Sequence, residues 1–127
     1  MIGIVIIAHG GLAREYLYAL EHVVGKCVGV STISVLPIDD ISLKQKQIFE
    51  AVETVDKGYG VVLLTDVHGS TPSNLALKAC NKLNRKVIYG VNLPMLIKLI
   101  KVRKKPLDEV IETALKTGKK YIDSSEH

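Results

Sequence analysis

Two residues of complementary chemistry, a histidine and an aspartate, each stand at the end of an apolar run. Residues 2–8 are apolar or small, as in a strand buried within a parallel sheet, and His9 follows them directly. Asp66 is the first charged residue after a second such run, residues 60–65. The carboxyl ends of parallel strands share one edge of a sheet, where open α/β sheets bind ligands. We therefore predict that His9 and Asp66 meet in one cleft.

This pair suits phosphoryl transfer through histidine. A neutral imidazole nitrogen attacks phosphorus, while a carboxylate that accepts the other ring N–H fixes the tautomer and stabilises the developing positive charge. We predict that His9 carries a phosphoryl group and that Asp66 orients its ring. The same chemistry requires hydrogen-bond donors for the phosphoryl oxygens.

The segment after Asp66 supplies such donors. Residues 69–74, GSTPSN, are typical of a helix start, with Thr71 as the N-cap and Pro72 at the first helical position. Unpaired backbone N–H groups at a helix start bind anions, and a glycine after the histidine lets a partner protein approach closely. Four residues are therefore predicted to bind the phosphoryl group: Gly10, Gly69, Ser70 and Thr71.

Other interpretations of these residues stay open at this point. His9 can be a half-exposed strand cap, and Asp66 can be a turn residue. His68 can join them as a third metal ligand, although such a ligand needs supporting hydrogen bonds that the sequence does not reveal; a role facing a partner or the phosphate is favoured for it. Ser70 or Ser73 can complete a Ser-His-Asp hydrolase, but the chain has no G-x-S-x-G motif.

The composition predicts a single domain over residues 1–127 and argues against several classes of function. Its 47% hydrophobic residues are enough to bury a sizeable core. The sequence shows no targeting or membrane-spanning stretch, and its two cysteines lack the spacing of a metal site or a redox motif. We therefore expect a cytoplasmic protein. The basic run KVRKK at residues 101–105 contains no aromatic residue for base stacking, so we expect no nucleic-acid binding despite the net charge of +4.

Apolar runs alternate with helix-length amphipathic segments, as in βαβ units. Strands are predicted at residues 2–8, 31–36, 60–65 and 86–91. Helices are predicted over residues 12–24, from a capping box at Ser42 and Gln45 to Gly58, from Thr71 through Leu83, from Pro94, and from Pro106 to Gly118. The predicted fold class is α/β: a doubly wound, mainly parallel sheet of four strands in the order 2-1-3-4, with residues 120–122 as a short fifth strand. His22 and His127 are expected to be structural or solvated.

Three segments together resemble the IIA component of the mannose/fructose/sorbose family of the bacterial phosphoenolpyruvate-dependent sugar phosphotransferase system. They are IGIVIIAHGGLA at the start of the chain, VVLLTDVHGSTPSNLA at residues 61–76 and VIYGVNLPMLIKL at residues 87–99. The last is particularly specific, because nothing in the composition calls for GVNLPML after a strand. The resemblance covers almost the whole chain.

The resemblance implies a role for each matching residue. His9 corresponds to the phosphorylated histidine, Asp66 to the aspartate that hydrogen-bonds it, and Thr71 to the phosphate-binding hydroxyl residue at the helix start. The family member receives its phosphoryl group from the histidine-containing phosphocarrier protein and passes it to a IIB component. Two residues depart from the usual loop: Ser70 replaces a second glycine, and His68 stands where an aromatic residue is usual.

The resemblance also implies an assembly. It predicts a homodimer that exchanges a C-terminal strand around Tyr121, with membrane association only indirect, through IIC and IID components. We expect neither a metal nor an organic cofactor. The alternative function is a regulatory interaction module whose phosphorylation state gates a partner without onward transport of sugar.

Overall fold

The predicted strands form one parallel sheet. The protein is described by a computed structural model that covers residues 1–126, so His127 lies outside the described residues. Within that range the strands are β1 (Gly3–His9), β2 (Val30–Val35), β3 (Val61–Thr65) and β4 (Arg85–Ile88). They are ordered β2-β1-β3-β4, and each neighbouring pair is parallel, which confirms the predicted order.

Helices cover both faces of this sheet. They are α1 (Leu12–Val24), α2 (Ile41–Val55), α3 (Thr71–Ala79), α4 (Leu93–Val102) and α5 (Leu107–Lys120). The central strand β1 places Ile4 and Ile6 in the core beneath α1, α4 and α5, and Val5 and Ile7 in the core beneath α2 and α3. All four side chains are fully buried, which explains why the strand is apolar throughout instead of alternating with polar residues.

The two neighbours β1 and β3 lead into helices on opposite faces of the sheet. Helix α1 packs with one core and α3 with the other. This divergence opens a crevice at the carboxyl ends of β1 and β3, which is where ligands bind in open α/β sheets. The connections that follow these two strands therefore line one crevice, and they begin with His9 and Asp66.

The N-caps of two helices differ from the prediction. Helix α2 begins at Ile41 because the carboxylate of Asp40 accepts the backbone N–H of Leu43 at 3.1 Å, so the capping box predicted at Ser42 is wrong. The N-cap of α3 is Ser70, and Thr71 is the first helical residue. Helix α3 also ends at Ala79, and Leu83, predicted to face the core, is 96% exposed.

Two further segments differ from the prediction within the single described chain. Strand β4 ends at Ile88, three residues early, because Gly90 adopts a φ of +70° and turns the chain. Lys120, predicted in a fifth strand, is the last residue of α5, and residues 122–126 form no strand within the single described chain. No helix within residues 1–126 is both long and apolar enough to cross a bilayer.

Candidate functional site

The predicted histidine and aspartate are in direct contact. His9 Nδ1 lies 2.7 Å from Asp66 Oδ2, and the same oxygen accepts the backbone N–H of His9 at 3.0 Å. The second oxygen, Oδ1, accepts the backbone N–H of Val67 at 2.9 Å. The Asp66 side chain is 10% exposed and that of His9 is 54% exposed. The carboxylate therefore lies behind the imidazole, which faces solvent.

These contacts determine where the imidazole proton resides. Partial burial raises the pKa of Asp66, but the hydrogen bonds from the backbone and ring of His9 and from the backbone of Val67 outweigh it, so the pKa falls below its ordinary 3.8. An ionised carboxylate only accepts hydrogen bonds, so His9 Nδ1 carries the proton and donates it. The other ring nitrogen, Nε2, has no hydrogen-bond partner in residues 1–126, so in the neutral imidazole it is the atom that carries the lone pair.

The local backbone explains why the imidazole stands clear of the sheet. His9 lies beside Val35 of β2, whereas on the other side β3 stops level with Ile7. Gly10 then turns the chain toward α1 with a φ of +56°, a conformation that a residue with a side chain rarely adopts. Its N–H donates to the Val35 carbonyl at 3.0 Å, and its carbonyl accepts the hydroxyl of Ser34. These two hydrogen bonds to β2 fix the turn at Gly10.

The β3–α3 loop, residues 66–70, leads to a helix start that is open to an anion. Ser70 occupies the N-cap position, but its hydroxyl donates to the Val67 carbonyl at 2.6 Å and does not cap the helix. Within the described residues the backbone N–H groups of Thr71 and Ser73 have no acceptor, and Pro72 has none to offer. Such free N–H groups at the positive end of a helix dipole attract phosphate.

The predicted phosphate-binding residues lie along this edge of the sheet. Gly10 follows the histidine, while Gly69, Ser70 and Thr71 form the end of the β3–α3 loop and the first residue of α3. Gly69 has a φ of +84°, which lets the loop turn into the helix. The hydroxyl-bearing Thr71 is exposed.

The structure assembles neither the metal site nor the Ser-His-Asp site that the sequence left open. Among residues 1–126 no group of three histidine, cysteine or acidic side chains is arranged to hold a metal, and the ring of His68 instead stacks on that of Tyr89. The hydroxyls of Ser70 and Ser73 donate to the backbone carbonyls of Val67 and Ser70, so neither serine is hydrogen-bonded to His9. The Ser-His-Asp interpretation therefore lacks its nucleophile.

Two residues at the site were not foreseen. Ser34 holds the Gly10 turn, and Tyr89 supports His68 from the β4–α4 connection. A signal existed for Ser34, which is a polar residue near the carboxyl end of the strand beside His9. None existed for Tyr89, because it was predicted inside a longer β4 strand.

Relatives and solved structures resemble the chain over nearly all of its length. It is 30% identical to the PTS system mannose-specific EIIAB component of Escherichia coli K12 over 124 residues, which is 95% of this chain but 38% of that protein. It is 31% identical over 104 residues to the putative phosphotransferase enzyme IIA component YadI of the same strain, which is 81% of this chain and 71% of that protein.

Similar folds are found among structures of the phosphotransferase system. The mannose/sorbose-specific IIA subunit from Enterococcus faecalis superposes with a TM-score of 0.89 at 22% identity, covering 99% of this chain and 96% of that one. The PTS IIA protein associated with the fucose utilization operon of Streptococcus pneumoniae superposes with a TM-score of 0.78 at 29% identity, covering 90% and 88%.

The family assignment rests on a match across most of the sequence. Residues 3–115 match the model of the PTS system fructose IIA component, a range that includes every residue of the site described above. The four-stranded parallel sheet of the described chain agrees with the structures of IIA proteins. The chain therefore belongs to the mannose/fructose family of IIA components of the sugar phosphotransferase system.

Proposed function

We propose that this protein is a phosphocarrier that accepts a phosphoryl group on His9 Nε2 and passes it on for sugar uptake. The donor is the histidine-containing phosphocarrier protein and the acceptor is a IIB component. The observation that carries this proposal is the 2.7 Å contact of His9 Nδ1 with Asp66, which leaves Nε2 without a partner in residues 1–126 on a side chain that is 54% exposed. Membership of the IIA family supports the transport role over a purely regulatory one.

The transfer step moves one phosphoryl group between nitrogen atoms. The lone pair of His9 Nε2 forms a bond to phosphorus while the bond from phosphorus to the donor's histidine breaks, and the donor nitrogen keeps that electron pair. The His9 ring then bears the phosphoryl group on Nε2 and a proton on Nδ1, and Asp66 stabilises its positive charge at 2.7 Å. Transfer to the IIB component reverses this step, and Nε2 recovers its electron pair.

The phosphoryl oxygens are bound by the helix start and the glycine turn. The N–H of Thr71, which has no acceptor within residues 1–126, donates to them, and the hydroxyl of this exposed residue adds a further donor. Gly10 and Gly69 leave the approach open, since no side chain projects from either. Binding and positioning, with no metal or organic cofactor, supply the catalysis.

The proposed assembly follows the family. We place the protein in the cytoplasm as one domain over residues 1–127, in contact with the membrane only through IIC and IID components. The homodimer forms by exchange of the C-terminal segment around Tyr121, which is 62% exposed. The mannose-specific relatives are longer proteins, of which this chain spans 38%, so their sugar is not assigned to this chain.

A phosphorylation assay tests the proposal. The protein is incubated with radiolabelled phosphoenolpyruvate, the first enzyme of the system and the histidine-containing phosphocarrier protein. We expect one acid-labile phosphoryl group per chain in the wild type and none in His9→Ala, because His9 Nε2 is the acceptor atom.

The matched control is His22→Ala, since this exposed histidine lies in the last turn of α1, at the end of the helix far from His9. It should be labelled like the wild type. Full labelling of His9→Ala, or an unlabelled wild type beside a working IIA protein, contradicts the proposal.

A further inference from the structure

The β3–α3 loop contains a turn closed by hydrogen bonds between Val67 and Ser70. At the start of the loop Asp66 binds the backbone of His9, and at its end the hydroxyl and the N–H of Ser70 both donate to the Val67 carbonyl, at 2.6 Å and 3.4 Å. Within residues 1–126, neither His68 nor Gly69, the two central residues of this turn, makes a hydrogen bond through its backbone or side chain. Gly69 has a φ of +84° and no side chain, so the turn is closed at its two ends without a hydrogen bond to its centre.

An aromatic contact ties the centre of this turn to the β4–α4 connection. The ring of His68 stacks on the ring of Tyr89, with 4.1 Å between the ring centroids and 23° between the ring planes. This separation and near-parallel orientation are those of a stacked aromatic pair. His68 is exposed and Tyr89 is half-buried, so the histidine lies on the tyrosine from the solvent side.

Tyr89 is itself part of a firmly held connection. Two residues further on, the Val91 N–H donates to the Thr65 carbonyl at the end of β3 at 3.0 Å. The Val91 carbonyl accepts the Tyr16 hydroxyl of α1 at 3.1 Å, and the Val91 side chain is 5% exposed. The β4–α4 connection is thereby tied to β3 and to α1. Tyr89 therefore presents His68 with a fixed surface.

We propose that His68 is a positioning residue for phosphoryl transfer. Its stack on Tyr89 holds the centre of the β3–α3 loop, so that the free N–H groups at the start of α3 face the phosphoryl group on His9. This inference rests on the proposed phosphocarrier function. An aromatic pair shifts a local equilibrium by roughly 3- to 10-fold, so the loop leaves its binding conformation more often when either ring is removed.

The test compares removal of each ring with its aromatic replacement. Transfer from the labelled phosphocarrier protein is followed by rapid quench for His68→Ala, Tyr89→Leu, His68→Phe and Tyr89→Phe. We expect the first two to lower kcat by roughly 3- to 10-fold with an unchanged KM for the donor, and the two phenylalanine variants to stay within about twofold of the wild type. The double variant of His68→Ala and Tyr89→Leu should be no slower than either single variant, because both remove the same contact.

Amide hydrogen exchange gives a readout that needs no donor protein. We expect the Ser70 amide, which donates to the Val67 carbonyl at 3.4 Å, to exchange faster in His68→Ala than in the wild type, and at the wild-type rate in His68→Phe and in the control His22→Ala. If the wild type accepts no phosphoryl group, the proposed function fails, and the exchange rates still decide whether the stack orders the loop.

Three results overturn the inference while leaving the proposed function intact. The first is wild-type kcat in His68→Ala. The second is a His68→Phe variant as slow as His68→Ala, which assigns the effect to the imidazole and not to the stack. The third is a higher KM with an unchanged kcat, which makes His68 a contact to the donor protein.

Discussion

The carboxylate of Asp66 performs two tasks through its oxygen Oδ2. It accepts both the backbone N–H and the ring N–H of His9, so it fixes the position of the ring and the location of its proton at once. Its lowered pKa keeps it ionised wherever the imidazole is neutral, which is the state that attacks phosphorus. In the proposed transfer the negative charge matters more as the reaction proceeds, since a phosphorylated His9 ring with a proton on Nδ1 would be cationic.

Replacing Asp66 with asparagine separates these tasks. The amide oxygen can still accept a hydrogen bond from His9 Nδ1–H, but the negative charge that would balance a phosphorylated ring is lost. We expect Asp66→Asn to fold normally and to accept the phosphoryl group roughly 10- to 100-fold more slowly. Rapid-quench labelling and thermal unfolding measure the two effects. Asp108→Asn, an exposed aspartate in the first turn of α5, is the matched control; wild-type transfer by Asp66→Asn would remove the electrostatic role.

At the scale of the element, α3 offers its first turn to a ligand because its N-cap side chain is turned away. Ser70 has the extended backbone of an N-cap, with φ −86° and ψ 172°, yet its hydroxyl binds the Val67 carbonyl. A capping side chain at this position would take the Ser73 N–H, because Pro72 has no N–H. The helix start is thus left unsatisfied at the point where the phosphoryl group is proposed to bind.

Capping this helix should therefore reduce transfer without unfolding the protein. In Ser70→Asp the carboxylate caps the Ser73 N–H and repels the phosphoryl group, so we expect the free energy of unfolding to stay within about 1 kcal/mol of the wild type. The transfer rate should fall roughly 100-fold. Ser70→Gly, which adds no charge and leaves the N–H groups free, should keep transfer within a fewfold of the wild type. Denaturant unfolding and labelling kinetics test both variants, and equal rates for the two would refute a helix-start site.

The same elements show how far the sequence predicts this structure. Apolar runs such as residues 2–8 predict buried parallel strands, and the strand order then places His9 next to Asp66. Helix ends are harder to predict than strands, because the N-cap of α2 depends on which of two polar residues, Asp40 or Ser42, accepts a backbone N–H. Contacts between distant segments leave no local pattern. The stack of His68 on Tyr89 is of this kind.

Arg103 is a second example of such a contact. It lies in the basic run 101–105, yet it is 5% exposed. Its guanidinium donates to the carbonyls of Ile2, Val28 and Gly29, which meet only in the folded chain. Its burial follows from the tertiary arrangement, and charge patterning alone predicts the opposite.

At the scale of the whole molecule, the two edge strands of the sheet, β2 and β4, and the C-terminal segment are open to further pairing within residues 1–126. Strand β4 pairs only with β3, and an open strand edge is a template for another strand. Tyr121 and Ile122, which follow α5, are 62% and 75% exposed. Exchange of this segment between two copies of the chain would cover apolar side chains and a strand edge together, as the proposed homodimer requires.

A charge at Ile122 should therefore dissociate the dimer. The proposed exchanged dimer would bury two isoleucines, each contributing roughly 2 kcal/mol, so Ile122→Asp should raise its dissociation constant by roughly a thousandfold, as measured by sedimentation equilibrium. Val23→Asp places the same charge on an exposed aliphatic residue of α1, 55% exposed, and should leave the dimer intact. Because His9 and Asp66 come from the same chain, the Ile122→Asp monomer should still accept a phosphoryl group. A wild type that sediments as a monomer at every concentration, or an Ile122→Asp dimer as tight as the wild type, rules out exchange of this segment.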